Sequence, residues 1–275
     1  MHFLVVGGDL RQYFMAKSLK ASGHETEVFG LDKTDLAETT LDKIKKSTYD
    51  AVILPMPVSR DRINLNCQLN SFTITLEKLI NSLNNTKIFG GIFDFGLLQT
   101  ANQNILFDYA RDESLLLENA KLTAEGAILT AISGTNHSLY NSDCLCVGYG
   151  RIGKCLSKAL KAFGARVSVG ARKTSDLNLI SKNGMTQILT SQIDLHINKF
   201  DIIFNTVPTR VIGNDALKKC KSDATLIELA SAPYGFDREF AGSLGLNTLL
   251  AQSLPGKYSP KTAGEIILKS VFKSL

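Results

Sequence analysis

The sequence predicts an α/β protein with two domains, each built around a doubly wound parallel sheet. Three observations support this prediction. A short apolar run at residues 144–147 leads into a glycine-rich turn, a helical pattern and a second strand, all within about 30 residues. A weaker copy of the same arrangement occupies residues 3–29. The remaining short apolar runs alternate with helical patterns, and this alternation favours parallel sheets.

Three glycines follow the apolar run at residues 144–147. Gly148, Gly150 and Gly153 form the pattern G-x-G-x-x-G, in which the first glycine permits a tight turn and the second lets the backbone approach a pyrophosphate. The third lets the helix pack on the strand, and the N–H groups at the helix N-terminus bind the anion. The flanking strands and helix favour an NAD(P)-binding Rossmann domain over an ordinary glycine-rich loop. The expected contacts are Gly148, Tyr149, Gly150, Arg151, Ile152 and Gly153.

The helix after this turn is expected to end at Gly164, because glycine commonly follows the last helical residue. Apolar spacing of three and four residues predicts the face that packs on the sheet. That face consists of Ile152, Leu156, Ala159, Leu160 and Phe163. Residues 166–169 then form the second strand of the unit.

The residues after the second strand favour NADP over NAD. An NAD site usually has a carboxylate about 20 residues after the glycines, to bind the ribose 2′-hydroxyl. Here Gly170, Ala171, Arg172 and Lys173 follow the strand, and the first carboxylate is Asp176, which we expect in the next helix or its cap. Arg172 and Lys173 can pair with a 2′-phosphate. The alternative interpretation is two solvated cations on a loop.

The bulk composition is that of an ordinary globular protein. Its 275 residues suffice for two domains, and 44% are hydrophobic and 21% charged. The net charge of +5 is mild and dispersed, which argues against a nucleic-acid partner. The sequence lacks an apolar run of about 18 residues, so we expect no membrane span. The apolar run at residues 3–6 has neither a basic region before it nor a cleavage site after it, so we expect no signal peptide. Five cysteines, an odd number, indicate a reduced, metal-free protein of the cytoplasm.

The N-terminal copy of the motif lacks two of the three glycines. Asp9 and Gln12 stand where the second and third glycines would be. The carboxylate of Asp9 would lie at the pyrophosphate position and would repel the negatively charged phosphates. We therefore expect this half not to bind a dinucleotide, and Asp9 to cap the first helix. Arg11 lies in the first helical turn, where a cation is disfavoured unless an anion is near. It is a candidate for binding a substrate carboxylate, with a plain surface position as the alternative.

The other elements follow from the same patterns. Strands are expected at 3–6, 26–29, 51–54, 87–89, 115–117, 201–204, 225–229 and 246–251, and helices at 123–132 and 262–273. Residues 60–75 are polar and predict a long surface loop. The helix at 123–132 should link a flavodoxin-like or Rossmann-like N-terminal domain, residues 1–120, to the NAD(P)-binding domain, residues 121–275. The last helix is free to pack back on the first domain.

Several loops follow strands of the second domain, at the edge where open α/β sheets bind ligands. We expect three of them to surround the nicotinamide, and the first two supply candidate cofactor contacts. Their residues are Asn205, Thr206, Val207, Pro208, Ala230 and Ser231. A third loop, at residues 252–261, contributes Lys257 and Lys261 to the same edge, and we expect Arg11 to face these lysines from the other domain.

The motifs on these loops resemble those of the A-subunit family of bacterial dipicolinate synthase. They are Thr123-Ala-Glu-Gly-Ala-Ile128, Gly170-Ala-Arg-Lys173, Ile203-Phe-Asn-Thr-Val-Pro208, Leu254-Pro-Gly-Lys257 and Pro260-Lys-Thr-Ala-Gly264. The resemblance covers nearly the whole chain. The sequence departs from the family pattern at Leu122, where Pro is expected, and at residues 232–235, where a Lys-Pro-Gly-Gly type sequence is usual.

The resemblance implies NADP-linked oxidation of dihydrodipicolinate, or of its hydrated precursor, to dipicolinate. It also implies the mother cell of a sporulating bacterium and, as partner, the flavoprotein-like second subunit of dipicolinate synthase; the sequence leaves a homo-oligomer open. Carboxylate-binding roles fall on Arg11, Thr123, Lys257 and Lys261. Glu125 is the expected proton acceptor, with Lys257 as the alternative, although an acidic residue there could simply stabilise a helix N-terminus.

Two other functions compete with this one. A D-2-hydroxyacid dehydrogenase shares the two-domain plan, but it needs an Arg after the strand ending at Leu229 and a His near residues 250–260. The chain has neither, since its histidines are 2, 24, 137 and 196. The other alternative is an NADP-binding regulatory or scaffold subunit that depends on its partner for turnover.

Overall fold

The computed structural model describes residues 1–93 and 103–275, which divide into two compact units. Unit 1 comprises Met1–Asn119 together with Pro255–Leu275, and unit 2 comprises Ala120–Leu254. The expected boundary near residue 120 coincides with the first division. The expected second domain of 121–275 differs from unit 2 in its last segment, which belongs to unit 1.

Each unit is built on a parallel sheet. Within the described ranges the strands of unit 1 are β1 (His2–Val6), β2 (Glu25–Phe29), β3 (Ala51–Ile53), β4 (Lys87–Gly90) and β5 (Ile105–Asp108). Those of unit 2 are β6 (Asp143–Val147), β7 (Arg166–Ala171), β8 (Thr186–Leu189), β9 (Ile202–Asn205), β10 (Thr225–Glu228) and β11 (Asn247–Leu250).

The two strand orders confirm the predicted fold. Unit 1 has the order β2-β1-β3-β4-β5, which is the flavodoxin-like arrangement. Unit 2 has the order β11-β10-β9-β6-β7-β8, which is the Rossmann arrangement when its strands are counted from β6. In both sheets the order of the strands reverses beside the first strand, β1 or β6. Open α/β sheets bind ligands at that point.

The helices of the described residues surround these sheets. They are α1 (Leu10–Ala21), α2 (Leu41–Ile44), α3 (Leu76–Ile80), α4 (Glu113–Gly134), α5 (Arg151–Ala162), α6 (Thr174–Lys182), α7 (Asn214–Leu217), α8 (Arg238–Ser243), α9 (Leu254–Tyr258) and α10 (Pro260–Lys273). Short 3-10 turns lie at Tyr109–Arg111, Thr190–Leu195 and Ile197–Lys199. None of the helices in these ranges has both the length and the apolar composition needed to cross a bilayer.

Helix α10 belongs to unit 1 because it packs closely against α1. The face of α10 that packs there is buried, and it consists of Ala263, Ile266, Ile267, Ser270 and Val271. A Cβ at Gly264 would lie 2.8 Å from the backbone oxygen of Arg11 and 3.0 Å from the Met15 side chain. The contact between the helices therefore needs a glycine on this face.

Two local predictions are wrong, and two strands were missed. Residues 115–117 form a helix instead of a strand, because α4 begins ten positions before the predicted start, after the cap at Asp112. Phe163 is 52% exposed because α5 ends at Ala162 and the chain turns away there. Strands β5 and β8 were not predicted, since neither alternates cleanly between apolar and polar residues.

Candidate functional site

The glycine turn of unit 2 has the geometry that its sequence predicts. Gly148 has a φ of +100°, and a Cβ there would lie 2.5 Å from Thr206 Oγ1. A Cβ at Gly153 would overlap the backbone oxygen of Gly148, so the close contact of α5 with β6 requires glycine. These two glycines hold the turn against its neighbours.

The middle glycine faces open space. A Cβ at Gly150 would meet no atom within 4 Å, and Gly150 is the N-cap of α5 without a side-chain hydrogen bond to the helix. The first N–H groups of α5 are therefore uncapped by this residue, and an anion can approach the backbone closely. Arg151 is exposed at the start of the helix. This open helix N-terminus fits a dinucleotide pyrophosphate.

The ring of Tyr149 is buried and makes contacts within the protein. It is 7% exposed, lies under Lys154 Nζ at 5.3 Å, and its hydroxyl accepts a hydrogen bond from Asn183 Nδ2 at 3.5 Å. Burial raises the pKa of the Tyr149 hydroxyl. Any contact of Tyr149 with a cofactor would therefore come from its backbone.

Residues 206–211, called the cofactor loop below, follow β9 and lie beside the glycine turn. The N–H and the hydroxyl of Thr206 both donate to the backbone oxygen of Val147, at 2.9 and 2.8 Å. Thr206 and Val207 are half-buried and Pro208 is exposed. The structure thus brings these predicted contacts next to Gly148.

Asn205 is fully buried, and its amide is used within the protein. Its Nδ2 donates to the Val207 backbone oxygen at 2.9 Å and to Glu228 Oε1 at 2.6 Å. Its Oδ1 accepts the Val207 N–H at 3.2 Å. The side chain of Asn205 therefore shapes the cofactor loop rather than reaching outward.

Glu228 is a functional candidate that the sequence analysis missed. It is 0% exposed, and its carboxylate accepts the N–H groups of Ala230 and Gly235 at 2.9 and 2.8 Å, besides the Asn205 amide. Burial raises the pKa of the Glu228 carboxyl. Its one sequence signal is a carboxylate at the end of an apolar strand, where Ala230 and the exposed Ser231 follow.

A groove of about 450 Å³ lies beyond the carboxyl ends of β7 and β8. It is lined by Arg172, Leu189, Thr190, Ser191 and Val211. Arg172 and Lys173 are exposed, Ala171 is buried, and Lys173 is the N-cap of α6 without a side-chain hydrogen bond. Asp176 lies in the first turn of α6, as predicted. The groove combines a cation, two hydroxyls and apolar walls, which suits a phosphorylated nucleoside.

The equivalent place in unit 1 is filled by the chain itself. The N–H of Gly8 donates to the Asn66 backbone oxygen at 2.7 Å, and the Gln68 N–H donates to the Gly8 oxygen at 2.8 Å. A Cβ at Gly7 would lie 2.8 Å from Cys67 Sγ. The middle of the predicted surface loop at 60–75 is therefore hydrogen-bonded to Gly8, just after β1, at the position of the pyrophosphate in a nucleotide-binding domain.

Arg11 is buried and paired, unlike a surface cation. Asp9 caps α1 as predicted, and its carboxylate binds Arg11 Nε and Nη2, each at 2.9 Å. Nη2 also donates to the Met56 backbone oxygen at 2.8 Å. These bonds to described residues use Nε and Nη2, so Nη1 is the group that could still bind a carboxylate. Asp9 supplies the anion that the first helical turn needed.

The other predicted cations lie in the same unit as Arg11. A Cβ at Gly256 would be 3.1 Å from Arg11 Nε, so α9 passes directly over the Asp9–Arg11 pair. Lys257 follows Gly256, is exposed, and holds Nζ 4.8 Å from the Tyr258 ring centroid. Lys261 is exposed in the first turn of α10. The prediction that Arg11 faces these lysines from another domain is therefore wrong.

Glu125 and Thr123 lie in the interior of α4. Because α4 begins at Glu113, Glu125 is far from the helix N-terminus, and the alternative interpretation of Glu125 as a helix-end residue is wrong. Glu125 is exposed, whereas Thr123 is 8% exposed.

The five cysteines are free, and within the ranges described no three His, Cys, Asp or Glu side chains are grouped to hold a metal ion.

Two family models match the chain, one in each part. Residues 2–107 match the N-terminal domain of the dipicolinate synthase A-subunit. Residues 117–234 match the NAD-binding domain of the D-isomer specific 2-hydroxyacid dehydrogenases.

Individual proteins match over nearly the whole length. The dipicolinate synthase A-subunit of Bacillus subtilis (strain 168) is 29% identical over 281 residues, which cover 98% of this chain and 94% of the relative. The crystal structure of the dipicolinate synthase A-subunit from Bacillus halodurans matches with a TM-score of 0.89 and 28% identity, covering 99% of this chain and 96% of the other. The Bacillus subtilis structure matches with a TM-score of 0.85 and 27% identity, covering 100% and 96%. These findings confirm the resemblance predicted from the loop motifs.

Proposed function

Because this chain resembles the A-subunit family of dipicolinate synthase in sequence and in structure, we propose that it belongs to that family and oxidises dihydrodipicolinate, or its hydrated precursor, to dipicolinate with NADP. The observation that carries the proposal is the open N-terminus of α5, where Gly150 leaves room for the pyrophosphate. When bound there, NADP supplies the hydride acceptor. The role would belong to the cytoplasm of a sporulating mother cell, with the flavoprotein-like second subunit as partner.

The residues of unit 2 would hold the two ends of the cofactor. Gly148–Gly153 bind the pyrophosphate, and Arg172 with Lys173 binds the 2′-phosphate beside the groove. The cofactor loop, with Ala230 and Ser231, borders the nicotinamide end. A charge-assisted hydrogen bond from Arg172 is worth about 1.5–3 kcal/mol, which makes Arg172 the residue that distinguishes NADP from NAD.

The substrate is a planar dianion, so its binding requires cations. Arg11 Nη1, Lys257 and Lys261 are the proposed carboxylate ligands, together with the hydroxyl of Thr123. Dihydrodipicolinate loses one hydride to the cofactor and one proton to a base, and the hydrated precursor must in addition lose one water molecule. The aromatic product supplies much of the driving force. Glu125 is the proposed proton acceptor, with Lys257 as the alternative.

Fluorescence titration with NADPH and NADH tests the cofactor assignment. The wild-type chain should bind NADPH more tightly than NADH. Arg172→Ala should weaken NADPH binding about 10- to 150-fold, the equivalent of its charge-assisted contact, and leave NADH binding nearly unchanged. Lys182→Ala, at the far end of α6, is the control for loss of one positive charge. Equal losses for both nucleotides in Arg172→Ala would contradict the assignment.

Turnover of Glu125→Gln tests the proton acceptor. The variant keeps the size of the side chain but cannot accept a proton, so kcat should fall by about 10²-fold or more, with NADPH affinity unchanged. Glu239→Gln, an exposed position on α8, serves as the control. If kcat of Glu125→Gln equals that of the control, the base is another group, with Lys257 the next candidate.

A D-2-hydroxyacid dehydrogenase activity is not proposed. The family match of residues 117–234 concerns the cofactor-binding domain. The Arg and His that this chemistry needs are missing from residues 230–237 and 245–260 of the sequence. A 2-hydroxyacid therefore lacks both its carboxylate partner and its acid–base group at the expected positions.

A further inference from the structure

Two polar side chains are fully buried side by side at the carboxyl ends of adjacent strands. Asn205 ends β9 and Glu228 ends β10, both are 0% exposed, and Nδ2 of the amide donates to Oε1 of the carboxylate at 2.6 Å. A carboxylate taken fully out of water is costly unless several donors face it. A pair in this position therefore calls for a reason beyond packing.

The pair holds the start of the cofactor loop. The side-chain amide of Asn205 makes two hydrogen bonds with the backbone of Val207. Oδ1 accepts the N–H of Val207, and Nδ2 donates to the backbone oxygen of Val207. Glu228 Oε1 fixes the orientation of that amide, since an oxygen at 2.6 Å can face only the NH₂ group. The carboxylate thus determines how the loop leaves β9.

The same carboxylate also holds the end of the loop. Oε2 accepts the N–H of Gly235 at 2.8 Å, and the oxygen of Gly235 accepts the N–H groups of Val211 and Ile212 at 2.9 and 3.0 Å. A side chain at Gly235 would overlap the Asn205 amide. One buried carboxylate is therefore connected to both ends of residues 206–211.

The loop touches both halves of the proposed cofactor site. Thr206 and Val207 lie against Gly148, and Val211 lines the groove beside Arg172. We propose that Glu228 and Asn205 are positioning residues that hold the cofactor loop in the shape required to bind the dinucleotide. The proposal rests on the proposed cofactor for its ligand, NADPH, and neither side chain has to touch it.

Asn205→Asp gives the pair a distinctive pH dependence. Two carboxylates at hydrogen-bond distance share one proton at low pH, and repel each other once both ionise. At low pH the shared proton takes the place of the hydrogen bond that the Asn205 amide donates to Glu228 in the wild type. As the pH rises the contact is lost and the loop is released. Arg238 on α8 is the charged group that acts on the Glu228 carboxylate, and it is present in wild type and variant alike.

The first measurement is the ratio of the NADPH dissociation constants of Asn205→Asp and wild type between about pH 5.5 and 8.5. The ratio cancels titration of the nucleotide itself. It should rise at least tenfold across this range. In Asn205→Asp/Glu228→Gln the new amide donates to the new carboxylate, so the ratio should be flat. A flat ratio for the single variant, or an equal rise for the double variant, would overturn the proposal.

Hydrogen exchange provides a measurement that needs no cofactor. Relative to wild type at the same pH, peptides covering 205–212 should exchange faster in Asn205→Asp at high pH, while peptides covering β6 and β7 stay protected. A uniform rise over unit 2, or none at 205–212, would overturn the positioning role. If the wild-type chain binds neither NADPH nor NADH, the proposed function fails, and the exchange pattern still decides whether the pair positions this loop.

Discussion

Two glycines of one motif differ in what a methyl group would meet. A Cβ at Gly153 overlaps the Gly148 carbonyl oxygen, whereas a Cβ at Gly150 projects into open space above the N-terminus of α5. The first position serves packing of the helix on the strand. The second serves the approach of an anion to the backbone. The same substitution at the two sites therefore separates stability from binding.

Gly150→Ala should fold and lose cofactor affinity, and Gly153→Ala should lose stability. At Gly150 the methyl group occupies space needed by the pyrophosphate, and the weaker N-cap costs at most about 1 kcal/mol. At Gly153 the helix must shift from β6, which costs about 1–3 kcal/mol. Chemical denaturation and NADPH titration of both variants check this. Wild-type NADPH affinity in Gly150→Ala would show that the opening is not the pyrophosphate site.

At the scale of single elements, helix α4 shows how one cap decides where a helix begins. The Asp112 carboxylate accepts the N–H and the hydroxyl of Ser114 at 2.9 and 2.7 Å, and its backbone oxygen accepts the Leu116 N–H at 3.0 Å. The hydrogen bonds of the carboxylate with Ser114 and Ser270, together with the charge of Lys273, lower the pKa of Asp112 to about 2. The apolar pattern of 123–132 alone could not locate this start.

Asp112→Ala should destabilise the protein by about 1 kcal/mol at neutral pH, the usual cost of a lost N-cap. Because the folded pKa is depressed, the stabilisation is present above pH 3.8 and is lost as the pH falls toward about 2. Asp112→Asn keeps the capping oxygen without the titration, so its stability at neutral pH should be near wild type. Urea denaturation between about pH 3 and 7 measures both. An equal acid dependence in wild type and Asp112→Asn would rule out Asp112 as its source.

At the scale of the whole molecule, the candidate ligands are distributed between the two units. The proposed cofactor contacts belong to unit 2, and three of the proposed substrate ligands, Arg11, Lys257 and Lys261, belong to unit 1. An active subunit should therefore allow cofactor binding and turnover to be separated by mutation. A scaffold subunit would have no need of the unit 1 cations.

Lys257→Ala distinguishes these two functions. It should abolish dipicolinate formation, or lower it by about 10²-fold, and leave NADPH affinity intact, both alone and with the partner subunit added. Lys269→Ala, an exposed lysine further along α10, is the control. Full activity of Lys257→Ala in the reconstituted pair would support the scaffold function and reject the catalytic one.

The sequence by itself determined the parallel-sheet fold, the glycine turn and the departure of the N-terminal copy from the glycine pattern. These three features depend on contacts between residues close together in the chain, such as Gly148 with Gly153 and Asp9 with Gln12. The spacing of such residues can be read directly from the sequence. Only the tertiary structure decided three other points. It placed residues 66–68 against Gly8, just after β1, α10 in unit 1, and Glu228 between Asn205 and Gly235. Each of these contacts joins segments that are far apart in the chain. Their proximity depends on the order of the strands and on the packing of the helices, and a local sequence pattern predicts neither the order nor the packing.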